Sequence, residues 1–92
     1  MARIEIYTTP TCPYCHRAKA LLRDKDAAFS ETDVSADPSL RVAMTERAGG
    51  RRSVPQIFIN DAHVGGSDDL YALEQAGKLD AMLDADAVPA AR

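Results

Sequence analysis

The chain changes its hydrophobic period across one short segment, Cys12-Pro13-Tyr14-Cys15, and the position of that change limits the folds open to it. Before the segment, Arg3-Ile4-Glu5-Ile6-Tyr7-Thr8 alternates polar and apolar side chains in the two-residue period of a strand, and Pro10 ends the run. After it, Cys15, Ala18, Leu21 and Leu22 recur at helical spacing to about Lys25. A strand therefore delivers the chain's two cysteines to the start of a helix. Residues three apart share a helix face, so the two sulfurs can meet. The first turn also offers N–H groups with no intrahelical acceptor and the positive end of the dipole, a setting that favours a thiolate. Pro13 suits the first helical position, where its missing N–H costs nothing.

The charges of this helix run against its dipole. His16, Arg17, Lys19 and Arg23 all precede its first acid, Asp24. Basic groups near a helix start cost ~0.3–1 kcal/mol each at exposed sites, so stability alone favours acids there. A thiolate at the helix start is the partner that would explain them; a solvated basic face is the alternative.

At 92 residues, 46% hydrophobic and 27% charged, the chain reads as one small soluble domain. Its formal net charge of −3 and the lack of a basic stripe interleaved with aromatics argue against nucleic acid as a partner. No stretch approaches the ~18 apolar residues of a membrane span. Met1-Ala2-Arg3-Ile4 leads straight into a strand rather than a signal peptide, so the expected compartment is the cytoplasm. In a reducing compartment a Cys-x-x-Cys pair is catalytic or metal-binding more often than structural. A bridge closing two intervening residues would also remove little unfolded-chain entropy.

Farther along, residues 28–34 read as a second strand, with the first helix as the crossover of a parallel β-α-β unit. Asp37-Pro38 caps and opens a second helix, whose Leu40, Ala43 and Met44 form an apolar stripe before Gly49-Gly50 stops it. Residues 54–60 are the most apolar run; Asn60-Asp61 turns them into a short antiparallel partner at His63-Val64. Gly65-Gly66 then bends the backbone and Ser67 caps a third helix carrying Leu70, Leu73 and Ala76 to Gly77. A last turn packs Leu79, Met82 and Leu83, which closes a domain over residues 1–83. Residues 84–92 carry too few apolar groups to fold and read as a disordered tail. The order β-α-β, α, β-β, α makes a mixed four-stranded β-sheet with helices on its faces.

Cys12-Pro13-Tyr14-Cys15, the Ser53-Val54-Pro55 step and Gly65-Gly66-Ser67-Asp68-Asp69 stand in the order and at the separations of the dithiol glutaredoxins, which this chain resembles from its first strand to about Leu83. The resemblance implies a thioredoxin-like α/β fold and glutathione as co-substrate, with no tightly bound cofactor and no metal. It implies that Cys12 is the nucleophile that reduces protein–glutathione mixed disulfides and protein disulfides, and that Cys15 resolves. It also implies a cis Pro55 against the cysteines, with the Val54 backbone free to pair with the cysteinyl part of glutathione in strand-like recognition. Gly66, Ser67 and Asp68 would hold the γ-glutamyl end, and Tyr14 would lie beside the mixed disulfide. Many relatives carry a lysine where this chain has Thr9, and a cysteine where it has Ser67. Arg52 is the expected substitute for that lysine, ahead of Arg51 and Arg47. His16 is expected at the surface and His63 in a structural role. The expected partners are glutathione and glutathionylated or disulfide-containing proteins, met by a monomer.

Three other readings stay open on sequence. A thioredoxin-like reductase usually carries Trp before the motif and Gly-Pro within it, and this chain has no Trp. Zinc wants four ligands, and beyond two cysteines only two histidines are on offer. A [2Fe–2S] cluster shared by two chains, each giving Cys12 beside a bound glutathione, is the third.

Overall fold

The alternation in Ile4-Glu5-Ile6-Tyr7-Thr8 becomes an inner strand of a sheet. In the computed structural model, which describes residues 2–85, the elements run β1 (Ile4–Thr8), α1 (Pro13–Asp24), β2 (Ser30–Asp33), α2 (Pro38–Arg47), β3 (Gln56–Ile59), β4 (Ala62–Gly65), α3 (Ser67–Gln75) and α4 (Leu79–Asp84). The sheet order is β2-β1-β3-β4, with β1 parallel to β2 and antiparallel to β3, and β3 antiparallel to β4. This is the expected mixed four-stranded sheet. Among the described residues, no helix is long and apolar enough to cross a membrane.

One face of the sheet holds the main core. Ile4 and Ile6 of β1 and Ile57 and Ile59 of β3 pack with Ala18, Leu21 and Leu22 of α1, Leu70 of α3 and Leu79 and Leu83 of α4. The stripe expected on α1 is therefore its core face.

The other face differs from expectation. Of the proposed α2 stripe only Met44 is buried; Leu40 is partly buried and Ala43 exposed. Arg47 does the joining instead. Its guanidinium lies 4.0 Å from the centre of the Phe58 ring, donates to both carboxylate oxygens of Glu5 at 3.0 and 2.8 Å, and reaches Tyr7 Oη at 3.1 Å. A planar, delocalised cation can do both at once, stacking on a ring while forking onto a carboxylate. This polar clamp takes the place of aliphatic packing, so apolar periodicity says little about α2.

Several boundaries also shift. The β3 ladder starts at Gln56, two residues later than the apolar run suggests, because Pro55 has no N–H to give it. The Val54–Pro55 peptide bond is cis. The second strand is shorter than 28–34, and Val34 closes it by donating to Thr8 O at 2.9 Å. The hairpin loop Asn60-Asp61 has φ of 52° and 67°, the left-handed pair that a two-residue hairpin requires. Asp84 belongs to α4, and Ala85 N–H bonds to Ala81 O, so the chain stays packed past Leu83. The rest of the expected tail lies outside the described residues.

Arg47 holds the Glu5 carboxyl below the usual carboxylate range. A carboxyl depressed in the folded state contributes stability above its unfolded pKa and loses it as pH falls through the folded value. Glu5→Gln is thus expected to cost about 1–2 kcal/mol at neutral pH, with the gap to the parent narrowing towards about pH 3. Urea unfolding at both pH values checks this; a gap of the same size at each would refute it.

Candidate active site

Cys12 is itself the N-cap of α1. It has extended φ and ψ of −90° and 113°, and its sulfur accepts the Cys15 N–H at 3.1 Å. A side-chain acceptor at this position satisfies one of the helix's open donors, and a sulfur carrying charge is the better acceptor. Pro13 follows at the first helical position, as expected.

The two cysteines are not equivalent. Cys12 is partly exposed, whereas Cys15 is completely buried. Burial, with the Cys12 sulfur beside it, pushes the Cys15 thiol up to about 12, against the opposing pull of the Thr9 N–H and the Lys19 charge. Cys12 is the thiol that solvent and substrate can reach.

The basic residues of α1 do not converge on the cysteine at its start. Arg17 lies 5.2 Å from the Tyr71 ring centre, Arg23 lies 5.6 Å from that of Phe29, and His16 Nε2 bonds to Pro10 O at 3.0 Å. Lys19 pairs with Glu31 at 2.8 Å. The thiolate reading of the cluster therefore gives way to four separate tertiary contacts.

Opposite Cys12 lies the backbone ahead of β3. The Cys12 thiol donates to Val54 O across 3.7 Å. Val54 and Pro55 form one wall of a cleft of about 140 Å³, and Gly66, Ser67 and Asp68 at the start of α3 form the other, with Tyr14 at its edge. Six of the residues singled out in the sequence thus meet around one opening beside Cys12. Tyr14 is 55% exposed, as an edge residue should be.

Arg52 is exposed and lies outside this lining, while its neighbour Arg51 is in it. Arg51 Nη1 pairs with Asp69 Oδ2 at 3.1 Å, which holds the guanidinium at the α3 side of the cleft. Arg47 is committed to Glu5 and takes no part. Arg51 rather than Arg52 is therefore the cation of the cleft.

Asp69 belongs to the Gly65-Gly66-Ser67-Asp68-Asp69 motif, but the sequence assigned it no place in the site. Its Oδ2 also accepts the Gly66 N–H at 2.9 Å, so Gly66 is the helix cap and Ser67, 4% exposed, is the first helical residue rather than the cap. The Gly66 N–H, then Arg51, hold the Asp69 carboxyl below the usual carboxylate range. An acid three residues after a cap was the available signal. The glycines also find a different reason. A Cβ on Gly65, where φ is +120°, would meet Arg51 Nη1 at 2.8 Å and Asp69 Cγ at 2.7 Å, while one on Gly66 would meet Pro55 O at an ordinary 3.5 Å. Gly65 is required first by its own left-handed backbone, and a Cβ there would also displace the Asp69 and Arg51 side chains.

Ser53 is a second addition. Gln56, fully buried, donates to Ser53 O at 2.9 Å and accepts from His63 Nε2 at 2.6 Å; His63 stacks on Phe58 with ring centres 5.0 Å apart. His63 is thus structural, as expected, and it steadies the segment that carries Val54.

A family model for glutaredoxin matches residues 4–64. The chain belongs to the glutaredoxin family. It is 54% identical to Glutaredoxin 3 of Escherichia coli K12 over 83 residues, which cover 90% of this chain and 99% of that one. The solution structure of a glutaredoxin from Brucella melitensis matches at 61% identity and a TM-score of 0.80, over 90% of this chain and 89% of that one. A buckwheat glutaredoxin crystallised as a glutathione complex matches at 27% identity and a TM-score of 0.82, over 89% and 76%. The fold is therefore the thioredoxin-like one, and this glutaredoxin is a thiol-disulfide oxidoreductase.

Two outcomes test the geometry. Gly65→Ala is expected to lose about 1–3 kcal/mol in urea unfolding and Gly66→Ala clearly less; equal losses would remove the argument from the Gly65 backbone. In mass-spectrometric alkylation at neutral pH, Cys15 in a Cys12→Ser protein is expected to react about a hundredfold or more slowly than Cys12 in a Cys15→Ser protein.

Proposed function

We propose that this glutaredoxin uses glutathione to reduce protein–glutathione mixed disulfides and protein disulfides. The observation that carries the reading is the approach of Cys12 Sγ to the Val54 carbonyl, at the mouth of a cleft with open backbone on one wall and a helix start on the other.

Glutathione is a short peptide, and the walls match its parts by chemistry. Val54, outside the β3 ladder, offers backbone N–H and C=O to the cysteinyl unit, much as a strand adds to a sheet edge. The first-turn N–H groups at Ser67 and Asp68 suit the γ-glutamyl carboxylate, and the Asp68 carboxylate suits its ammonium. Arg51 suits the glycyl carboxylate, taking the part that Thr9 cannot. Pro55 and Tyr14 flank the disulfide. The buckwheat relative solved with glutathione supports this choice of ligand.

The chemistry follows from the inequality of the cysteines. The Cys12 thiolate attacks the glutathione sulfur of the mixed disulfide; a bond forms between these two sulfurs, and the substrate protein leaves as its thiolate. A second glutathione then attacks the glutathione sulfur on Cys12 and releases oxidised glutathione. For a protein disulfide, the Cys12 thiolate attacks one substrate sulfur and the other leaves as thiolate; Cys15 then attacks Cys12 Sγ, the second substrate thiolate leaves, and two glutathiones later reduce the Cys12–Cys15 disulfide. A single chain suffices, and a reducing compartment such as the cytoplasm supplies the donor.

Reduction of a glutathionylated peptide by glutathione tests the assignment. Cys12→Ser is expected to abolish turnover and Cys15→Ser to retain it; the reverse would overturn the roles. Arg51→Gln is expected to raise KM for glutathione about tenfold, the equivalent of ~1.4 kcal/mol, with Arg52→Gln raising it less.

A further inference from the structure

Of the basic residues on α1, Lys19 alone is buried, at 9% exposed. It sits four residues after Cys15, one turn along the same helix face. Its Nζ is 2.8 Å from Glu31 Oε2, and the same oxygen accepts from Thr8 Oγ1 at 2.6 Å. Thr8 is 1% exposed. The group borders a second depression, lined by Thr8, Pro10, His16, Lys19, Glu31 and Asp33, which shares no residue with the cleft beside Cys12.

Stability does not account for a lysine here. The Glu31 side chain is 36% exposed, and an ion pair so open to water contributes little to stability. The next site along the helix face is a fully buried thiol that must lose its proton to react. We propose that Lys19, held in place by Glu31 and Thr8, is a positioning residue that stabilises the charge developing on Cys15 as it resolves the mixed disulfide on Cys12. The inference rests on the glutathione reading above.

In that step Cys15 Sγ bonds to Cys12 Sγ, the bond from Cys12 Sγ to the glutathione sulfur breaks, and its electron pair leaves with glutathione. The Cys15 proton passes to solvent, from which the departing thiolate can take one up. Once Cys12 is in a disulfide, its own charge no longer opposes ionisation of Cys15. The groups that remain are the Thr9 N–H and Lys19, which favour the thiolate. Glu31 tempers Lys19, Arg23 acts on Glu31, and His16 and Asp33 stand at the rim of the depression.

Removing the cation lowers the thiolate fraction about tenfold per unit of pKa, but a more basic thiolate is also a better nucleophile, with a Brønsted slope of about 0.4–0.5. The net loss is about threefold per unit. Reduced protein mixed with oxidised glutathione, acid-quenched and resolved by mass, reports conversion of the mixed disulfide to the Cys12–Cys15 disulfide. Lys19→Met is expected to slow conversion about threefold and to move its pH profile up by about one unit. Lys19→Arg should restore it, and Glu31→Gln, whose amide oxygen still accepts from Lys19 and Thr8 while the opposing charge is gone, should speed it. In a Cys15→Ser background, Lys19→Met should not change the rate at which the mixed disulfide forms. Effects of the same sign from Lys19→Met and Glu31→Gln, or equal slowing of formation and conversion, would overturn the proposal. If the Cys15→Ser protein takes up no glutathione at all, the glutathione reading fails first, and this one with it.

Discussion

The antiparallel register that sets Tyr7 opposite Gln56 determines where chemistry can happen in this molecule. It brings the end of β1 beside the start of β3. The segment leaving β1 is therefore the neighbour of the segment entering β3, and these two segments carry Cys12 and the Val54-Pro55 step. A slip of one residue would turn the apolar set of β3 to the other face, and the core of Ile4, Ile6, Ile57 and Ile59 holds the register against it. The contact between Cys12 and the Val54 carbonyl is thus a by-product of hydrophobic packing at the far side of the sheet.

The polar interactions stand where that packing ends. Asp69 joins the cap of α3 to Arg51 and so ties the two walls of the cleft together through one carboxylate. Arg47 joins α2 to the sheet through Glu5, Tyr7 and Phe58. The Arg47–Glu5 pair gains from partial burial, whereas the Arg51–Asp69 pair is exposed on both partners and acts by position more than by energy. Neither carboxylate–arginine pair buries a charge without a partner.

This division explains what could be read from the sequence. Strand alternation in β1, the Asp37-Pro38 start of α2, the Asn60-Asp61 turn and the meeting of the motif with Val54-Pro55 and Gly66-Asp68 are local patterns or arise from a family resemblance. The larger failures are polar and distant. Arg47 and Glu5 are 42 residues apart, and Arg51 and Asp69 are 18 apart, so no period or spacing links them. The basic residues of α1 were visible, but their partners on α3 and β2 and in the connections around α1 were not, and their joint meaning dissolved into separate contacts. Ser67 misled for a simpler reason: a hydroxyl beside a glycine reads as the cap, yet the acid three residues beyond Gly66 reaches back to the cap N–H instead.

The inequality of the two cysteines needs no further device than one turn of helix. Position N-cap leaves a side chain half outside the helix, so Cys12 keeps access to solvent while its sulfur takes the Cys15 N–H. Three residues on, the same face has turned into the core, and Cys15 loses all exposure. The Cys12 sulfur accepts a hydrogen bond from the Cys15 N–H, and charge on that sulfur disfavours ionisation of Cys15. In the proposed mechanism the two thiols therefore act in turn. In the proposed mechanism a Cys12 that has entered a disulfide carries no charge, the penalty on Cys15 falls, and the order of the two attacks follows from their coupling.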